Sequence, residues 1–247
     1  MYCYLYDTFT QDGKNERELT AIEHRITDLG LQGKIVRLAL FRDPAEAIRR
    51  EVAAGVKTVV VVGHDRTVAQ VLDVAVETGV VLALLPVGSP NVLARIFGVP
   101  EGVASCDVLS QRIIETLDVG VVNGKRFLSG LRVERGQPRV RSQRGYSVLA
   151  AREAPIEVRN LSTVPPSTPD DLSNPTDGCL DVIIHTHTRK GLRRVEHQTC
   201  VPLDRATIEY DAPVEAMVDG EPMEAATFEI NVLPKALKVI VGRERMI

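Results

Sequence analysis

The sequence predicts a protein of class α/β plus β, with an N-terminal Rossmann-like parallel α/β domain followed by a C-terminal antiparallel β-sandwich domain. Two apolar runs, Thr58–Val62 and Val80–Leu85, lack alternation, as expected of parallel strands covered on both faces. A helical apolar pattern follows each run. After Leu117 short strand patterns punctuated by turns replace the helical ones, so we place the domains at residues 1–117 and 118–247.

The first domain alternates strand and helix patterns from its start. Tyr2–Tyr6 is an aromatic-rich strand pattern, and Glu16–Leu29 has apolar residues at helical spacing before a glycine. Lys34–Leu40 is predicted as a short strand. A second helix is predicted over residues 44–54, because Asp43 is a favoured N-cap residue and proline is favoured at the first helical position.

Two polar turns follow the two buried strand patterns. The first, Gly63–Thr67, and the second, Pro86–Asn91, each lead into a helical pattern. In open α/β sheets ligands bind at the carboxyl ends of the strands, and the N–H groups of a helix N-terminus attract phosphate. The two turns therefore indicate a phosphate-binding site. For the first turn, an ordinary strand-to-helix connection with Asp65 or Thr67 as N-cap residue remains the alternative.

The second domain is predicted from a hairpin signal and a series of short strands. Asn123-Gly124 between two apolar runs indicates a two-residue hairpin turn. Residues 161–176 contain four prolines among polar residues and are predicted to form an irregular loop. Further strand patterns occupy residues 155–158, 180–186, 198–202, 206–211, 214–218, 226–232 and 237–241. This spacing is typical of an antiparallel sandwich or barrel.

Composition indicates a cytoplasmic globular protein. The 247 residues are 44% hydrophobic and 26% charged, and the formal net charge of −3 gives no support to nucleic-acid binding. The four cysteines form no CxxC pair, which argues against a disulfide framework and favours a reducing compartment. The N-terminus lacks the basic start and apolar core of an export signal. A zinc site could be drawn from His185, His187, His197 and Cys200, but a solvated strand face is the preferred interpretation.

Both turns, taken with motifs further along the chain, resemble those of the diacylglycerol kinase catalytic-domain family. This family includes bacterial lipid kinases and sphingosine kinases and is related to NAD kinases. GHDRT at residues 63–67 is similar to the family's GGDGT turn, and PVGSPNVLAR at residues 86–95 is similar to its PxGTxN turn and NxxAR-like continuation. Downstream, LDVGVVNGKRF resembles the DLGxVNGRxF hairpin, DGCLDV resembles the DGxLDV strand, and DGE at residues 219–221 resembles the DGE turn. The matches occur in the family's order and cover nearly the whole chain.

The resemblance implies an ATP-dependent kinase that phosphorylates a lipid hydroxyl such as that of diacylglycerol. In the family the glutamate of the DGE turn accepts the proton of that hydroxyl, which corresponds here to Glu221 beside Asp219. A structural Mg²⁺ ion lies near the DGxLDV strand, where Asn174, Asp177 and, through its carbonyl, Cys179 correspond. The two glycine-rich turns of the family bind ATP phosphates, and the corresponding positions are Gly63, Asp65, Arg66, Thr67, Gly88, Ser89 and Asn91.

The chain departs from the family pattern at several positions. His64 and Arg66 stand where the GGDGT turn has glycines, and Ala69 stands where an asparagine is usual. A side chain obstructs the close backbone approach that glycine allows, whereas a guanidinium can make a bidentate contact with phosphate. The first strand lacks the N-P-x-S-G loop, and the segment between Phe127 and Asp177 lacks the family's helical insert.

Two alternatives therefore stay open beside the lipid kinase. One is a catalytically impaired pseudo-kinase of the same fold with weak or no nucleotide binding. The other is a kinase of a soluble hydroxyl substrate, which fits the missing insert. Peripheral contact with the inner face of the membrane and a homodimer are also compatible with the sequence. Basic residues cluster at residues 126–144 and 189–194, where they could contact an anionic membrane surface.

Overall fold

The computed structural model describes residues 1–11, 14–38, 43–143, 145–163, 173–190 and 193–247. The chain forms two compact units. The N-terminal unit comprises Met1–Leu117 with Ala236–Ile247, and the β unit comprises Asp118–Lys235. This division differs from the predicted one at the C-terminus, because residues 236–247, expected in the second domain, belong to the N-terminal unit.

The N-terminal unit is a parallel sheet accompanied by helices. Its strands are β1 (Tyr2–Tyr6), β2 (Gly33–Arg37), β3 (Thr58–Gly63), β4 (Val81–Pro86) and the C-terminal residues of a long strand, β14 (Glu221–Ile240). They lie in the order β2–β1–β3–β4–β14, and each strand is parallel to its neighbours. Its helices are α1 (Glu16–Asp28), α2 (Pro44–Ala53), α3 (Asp65–Thr78), α4 (Val92–Ile96) and α5 (Ser105–Gln111), with 3-10 turns at Thr8–Gln11 and Gly102–Ala104.

Local sequence signals account for these elements. Every residue of β3 and β4 is buried, as the unalternating apolar runs predicted. α2 begins where it was predicted, because the Asp43 carboxylate accepts a hydrogen bond from the amide of Ala45 at 2.9 Å. α3 is followed by Gly79 with φ of 66°, in the left-handed region that glycine adopts without strain.

The β unit consists of antiparallel strands around one apolar core. Its strands are β5 (Ile114–Val122), β6 (Lys125–Phe127), β7 (Gly130–Val133), β8 (Arg139–Ser142), β9 (Ser147–Leu149), β10 (Ile156–Arg159), β11 (Leu180–Lys190), β12 (Arg193–Leu203), β13 (Arg205–Val218) and the first residues of β14. They lie in the order β12–β11–β10–β7–β13–β14, while β8 pairs with β13 and β9, and β5 pairs with β14 and β6. The core includes Phe127, Tyr210 and Phe228.

Two strands each join two of the strands that the sequence patterns predict. β13 joins the predicted strands 206–211 and 214–218, with a register shift between Glu209 and Val214. β14 joins the predicted strands 226–232 and 237–241 and extends back to Glu221. Its last residues pair with β4, which is why the C-terminal residues belong to the N-terminal unit. Hydrogen bonds with neighbouring strands keep the backbone extended at polar positions, where the sequence pattern alone predicts that the strand ends.

The predicted fold class, an N-terminal α/β domain followed by a C-terminal β domain, is confirmed by this architecture and by the likeness to a solved structure described below. Residues 39–42, at the end of the predicted second strand, and residues 164–172, within the predicted proline-rich loop, lie outside the described residues. Within the part of the chain that the structure describes, no helix is both long and apolar enough to cross a membrane.

Candidate functional site

The two turns predicted to bind phosphate lie side by side at one edge of the parallel sheet. β3 and β4 pair with Gly63 opposite Pro86, and the amide of Val87 donates to the carbonyl of Gly63 at 3.0 Å. β1 ends beside them, since Tyr6 pairs with Val62. The carboxyl ends of these strands therefore share an edge, which is where ligands bind in open α/β sheets.

Thr67 lies inside the N-terminal unit rather than at its surface. Its side chain is buried, and its hydroxyl donates to Asp7 Oδ2 at 2.5 Å and lies 3.4 Å from His64 Nδ1. A Cβ atom on Gly63 would lie 2.7 Å from Thr67 Oγ1, so glycine leaves the room that the hydroxyl needs. Thr67, which the resemblance assigned to nucleotide binding, thus ties the turn to the end of β1.

Asp65 joins the two turns to each other. Its amide donates to the carbonyl of Pro90 at 3.1 Å. Its carboxylate accepts hydrogen bonds from the amides of Val92 at 2.8 Å and Leu93 at 3.1 Å, so Asp65 caps α4 rather than its own helix. Burial raises the pKa of the Asp65 carboxyl, and the hydrogen bonds from Val92 and Leu93 oppose that shift. These contacts hold the relative position of the two turns.

Arg66, Gly88 and Ser89 are the members of the predicted nucleotide set that are exposed to solvent. Gly88 has φ of 83°, which a residue with a side chain adopts only with strain. Asn91 Nδ2 donates to the carbonyl of Gly88 at 2.7 Å and to Glu101 Oε1 at 3.2 Å, which closes the second turn. A guanidinium and a hydroxyl are therefore accessible at these turns, and both groups can bind an anion.

The predicted DGE turn joins β13 to β14 in the β unit. Val218 pairs with Glu221 across the turn. Asp219 and Gly220 have φ of 48° and 82°, so both occupy the left-handed region that a two-residue type I′ hairpin turn requires. The turn therefore fixes the backbone positions from which the Asp219 and Glu221 side chains extend.

Asp219 is half-buried and anchors this turn to another loop. Its carboxylate accepts hydrogen bonds from three consecutive amides, those of residues 128–130, at 2.6, 2.8 and 3.0 Å. Its own amide donates to the carbonyl of Gly130 at 3.0 Å. Burial raises the pKa of the Asp219 carboxyl, while the three amides and the nearby Lys125 charge oppose that shift. This arrangement indicates that Asp219 supports the turn.

Glu221 is more exposed to solvent than Asp219. Its Oε2 accepts a hydrogen bond from Lys125 Nζ at 2.6 Å, and the Lys125 and Glu221 side chains are 34% and 52% exposed. Lys125 begins β6, directly after the two-residue turn that Asn123-Gly124 predicted. Sequence reasoning missed Lys125, because its partner is 96 residues away and no local pattern links them.

The loop implied to hold magnesium is closed by its own hydrogen bonds. Asn174 Oδ1 accepts from the amide and the hydroxyl of Thr176 at 3.1 and 2.7 Å, and Asp177 Oδ1 accepts from the amide of Cys179 at 2.9 Å. Among the residues placed by the structure, no group of three or more His, Cys, Asp or Glu side chains could hold a metal ion. Carboxylate and amide oxygens are suitable ligands for Mg²⁺. The side-chain oxygens of Asn174 and Asp177 already accept hydrogen bonds within the loop, so magnesium binding here stays a prediction.

A buried carboxylate that sequence reasoning missed lies beside this loop. Asp118 is fully buried, and its two oxygens accept from the amides of Gly178 and Lys235, each at 2.7 Å. Its own amide donates to the carbonyl of Pro175 at 2.7 Å. The sequence signal for such a residue was an acidic side chain within an apolar run, because a buried charge needs hydrogen-bond partners. Asp118 therefore links β5, this loop and β14.

Glu157 on β10 is the centre of an ion-pair cluster in the β unit. It pairs with Arg132 at 2.8 Å and with Arg159 at 2.5 Å, and His185 Nε2 lies 3.7 Å from it. Burial works to raise the pKa of Glu157, but the two guanidinium groups outweigh it and hold that pKa below its usual value. The side chains of residues 187–196 lie outside the described part of the chain. His187, one member of the alternative zinc site, and the predicted basic cluster at residues 189–194 therefore lie outside the described side chains.

A family model and two curated relatives each match part of the chain. Residues 2–122 match the model of the diacylglycerol kinase catalytic domain. Two proteins of Pseudomonas aeruginosa, strains UCBPP-PA14 and PAO1, both named "Probable lipid kinase YegS-like", are 36% identical over 90 residues, which is 35% of this chain. The match spans 30% of the length of these relatives.

A solved structure of a diacylglycerol kinase from Bacillus anthracis str. Sterne has the same fold. It superposes with a TM-score of 0.81 at 20% sequence identity, and the match covers 98% of this chain and 97% of that one. The family model spans both turns at the edge of the parallel sheet and extends to the end of β5. The resemblance inferred from the motifs is confirmed: residues 2–122 carry a catalytic domain of the diacylglycerol kinase family.

Proposed function

We propose that the protein is an ATP-dependent kinase of a lipid hydroxyl, with diacylglycerol as the first acceptor to test. Family membership and the names of the Pseudomonas relatives support this proposal. The observation that carries the catalytic role is the contrast within the DGE turn. The Glu221 side chain is 52% exposed, whereas the half-buried Asp219 carboxylate already accepts hydrogen bonds from three amides. A general base must reach the proton it takes, which favours Glu221 over Asp219.

In the proposed reaction the acceptor hydroxyl oxygen attacks the γ-phosphorus of ATP. The bond between that phosphorus and the bridging oxygen to the β-phosphate breaks, ADP leaves, and the hydroxyl proton passes to the Glu221 carboxylate. Phosphoryl transfer depends on positioning and charge neutralisation, with little covalent work by the protein. Magnesium bound with ATP would supply part of that neutralisation, and Asn174, Asp177 and the Cys179 carbonyl are the residues proposed for a structural ion.

The nucleotide is proposed to contact the exposed members of the two turns. The Arg66 guanidinium can donate two hydrogen bonds to a phosphate, and the exposed Gly88-Ser89 segment offers backbone amides and a hydroxyl. The residues proposed to hold the shape of the turns are Gly63, Asp65, Thr67 and Asn91. Their internal hydrogen bonds and packing support this division of roles.

A pseudo-kinase with weak or no nucleotide binding is the second candidate. In the β3–α3 turn the amides of Asp65 and Thr67 already donate to the carbonyls of Pro90 and His64. Turns that bind phosphate use such amides as donors to the ligand. ATP would therefore have to bind through Arg66 and the β4–α4 turn, or these internal hydrogen bonds would have to break.

Transfer of radiolabelled phosphate from ATP to diacylglycerol in mixed micelles tests the proposal. We expect transfer by the wild-type protein and a loss of about 100-fold or more in E221Q, which is the usual contribution of a positioned base. E224Q is a matched control, because Glu224 is also an exposed glutamate of β14 and should keep the wild-type rate.

Absence of transfer by the wild-type protein would exclude diacylglycerol as the acceptor. Titration calorimetry with ATP then separates the two alternatives. No measurable binding supports the pseudo-kinase, and binding together with phosphorylation of a polar alcohol supports a kinase of a soluble substrate. Peripheral membrane contact, which a lipid acceptor would require, is tested by co-sedimentation with vesicles that contain diacylglycerol. The proposed homodimer is tested by light scattering.

A further inference from the structure

Lys125 and Glu221 form an ion pair that two separate hairpins bring together. Lys125 Nζ lies 2.6 Å from Glu221 Oε2. β6 starts with Lys125 directly after the turn Asn123-Gly124, and β14 starts with Glu221 directly after the turn Asp219-Gly220. Each turn has two residues at positive φ, which sets the register of the strands that it joins. Each charged residue is therefore the first residue of a strand with a defined register.

Asn123 holds the first hairpin against β14. Its amide donates to the carbonyl of Glu229 at 3.0 Å, and its Oδ1 accepts from the amide of Glu229 at 2.8 Å. Its Nδ2 donates to the carbonyl of Thr227 at 3.0 Å. Within the same hairpin the Phe127 ring lies against Gly120, where there is no room for a Cβ atom. The hairpin that carries Lys125 thus has a fixed position along the strand that carries Glu221.

The loop after β6 fastens the second turn to the first hairpin. The amides of residues 128–130 donate to the Asp219 carboxylate. The carbonyls of the same residues accept hydrogen bonds from Asn160 Nδ2, from the amides of Asn160 and Leu161, and from the amide of Asp219. All six backbone polar groups of this loop are therefore satisfied by named partners, which leaves little freedom for the loop or for the DGE turn.

The ion pair contributes little to stability by itself, because both side chains remain substantially exposed and exposed pairs are screened by water. Yet the half-buried Asp219 carboxylate and a loop with every backbone polar group satisfied hold these two exposed charges at hydrogen-bond distance. Fixed placement of exposed charges by a rigid supporting network is what a functional site requires.

We propose that Lys125 is a positioning residue for Glu221, an inference that rests on the proposed kinase function. The ammonium donates to Oε2, which orients the carboxylate and leaves Oε1 to receive the proton of the acceptor hydroxyl.

Steady-state kinetics of K125M and K125R test this role. In K125M we expect kcat to fall about 10-fold while KM for ATP changes less than about twofold, since orientation of the base is lost and nucleotide contacts are kept. K125R keeps the charge and the donor, so kcat should return toward that of the wild type. K238M, which removes an exposed lysine from β14, is the matched control and should behave as the wild type.

The possible results separate this inference from the proposed function. If the wild type transfers phosphate and K125M keeps its kcat, the role of Lys125 is refuted and the kinase assignment stands. A fall in kcat with an equally large change in KM for ATP, or without recovery in K125R, would mean that the lysine only stabilises the hairpins, and would also refute the inference. If the wild type transfers no phosphate, the proposed function fails and the inference fails with it. Circular dichroism of each variant shows whether a loss of rate reflects unfolding.

Discussion

Replacing Asp219 by alanine should destabilise the β unit strongly, because the change leaves three partly buried amides without their acceptor. The Asp219 carboxylate accepts from the amides of residues 128–130 at 2.6, 2.8 and 3.0 Å. Each of these donors that loses its partner costs about 1 to 1.5 kcal/mol, so D219A should lower the free energy of unfolding by about 3 to 4 kcal/mol. A change of this size is large compared with the total stability of a typical domain.

The asparagine variant gives the graded control. Asp219 Oδ1 accepts from the amides of Ser129 and Gly130, whereas Oδ2 accepts from that of Leu128 alone. In D219N the remaining oxygen can keep the first two hydrogen bonds, and the new amide nitrogen cannot accept the third. We therefore expect D219N to lose about half as much unfolding free energy as D219A, roughly 1.5 to 2 kcal/mol.

Urea unfolding followed by circular dichroism measures these values, since the chain has no tryptophan for fluorescence. With a slope of about 2 kcal/mol per molar urea, D219A should unfold at a concentration about 1.5 to 2 M lower than the wild type. E221Q, at the exposed position of the same turn, should differ from the wild type by less than about 0.5 kcal/mol. A D219A midpoint within about 0.5 M of the wild type, or equal losses in D219N and D219A, would show that these hydrogen bonds do not anchor the turn.

Three further changes test other contacts. T67V removes the hydroxyl that donates to Asp7 and should lower the unfolding free energy by about 1 to 2 kcal/mol in urea, whereas no loss would mean that water replaces the bond. G63A places a Cβ 2.7 Å from Thr67 Oγ1, so its cost, about 1 to 3 kcal/mol, should shrink in a T67A background; an additive double-mutant cycle would refute the clash. The Arg pairs lower the pKa of Glu157 in the folded protein, so their contribution is present above the unfolded pKa and disappears as pH falls through the folded value. The melting temperature of the wild type should therefore fall more steeply than that of E157Q below about pH 4.5, and parallel curves would contradict this expectation.

The elements that the sequence predicted well are those whose causes are local. Asp43-Pro44 specifies the start of α2 through a cap two residues away, and Asn123-Gly124 specifies a hairpin turn through its own backbone angles. The buried runs of β3 and β4 are recognisable because strands covered on both faces need apolar residues throughout. The sequence did not predict that β13 and β14 would each be one continuous strand. Pairing with neighbouring strands, rather than local propensity, extends each of them.

The candidate site was predicted less completely, because its hydrogen bonds connect distant parts of the chain. The motif located Asp65 and Thr67 in a turn, but the partner of Asp65 lies 27 residues later and that of Thr67 lies 60 residues earlier. The resemblance grouped Asp219 with Glu221, while burial separates them into a supporting carboxyl and an accessible one. Motif spacing carries no information on which side chain faces solvent.

By itself, the sequence determined the family, the class of fold and the place of the two turns at the end of a parallel sheet, since motif order and apolar periodicity follow from residues close together in the chain. The tertiary structure alone decided that Thr67 is buried against Asp7, that Asp65 caps α4, and that Lys125 meets Glu221 across 96 residues. The reason is physical. A buried donor must find an acceptor, and strand register, which many distant contacts set together, decides which acceptor lies within reach.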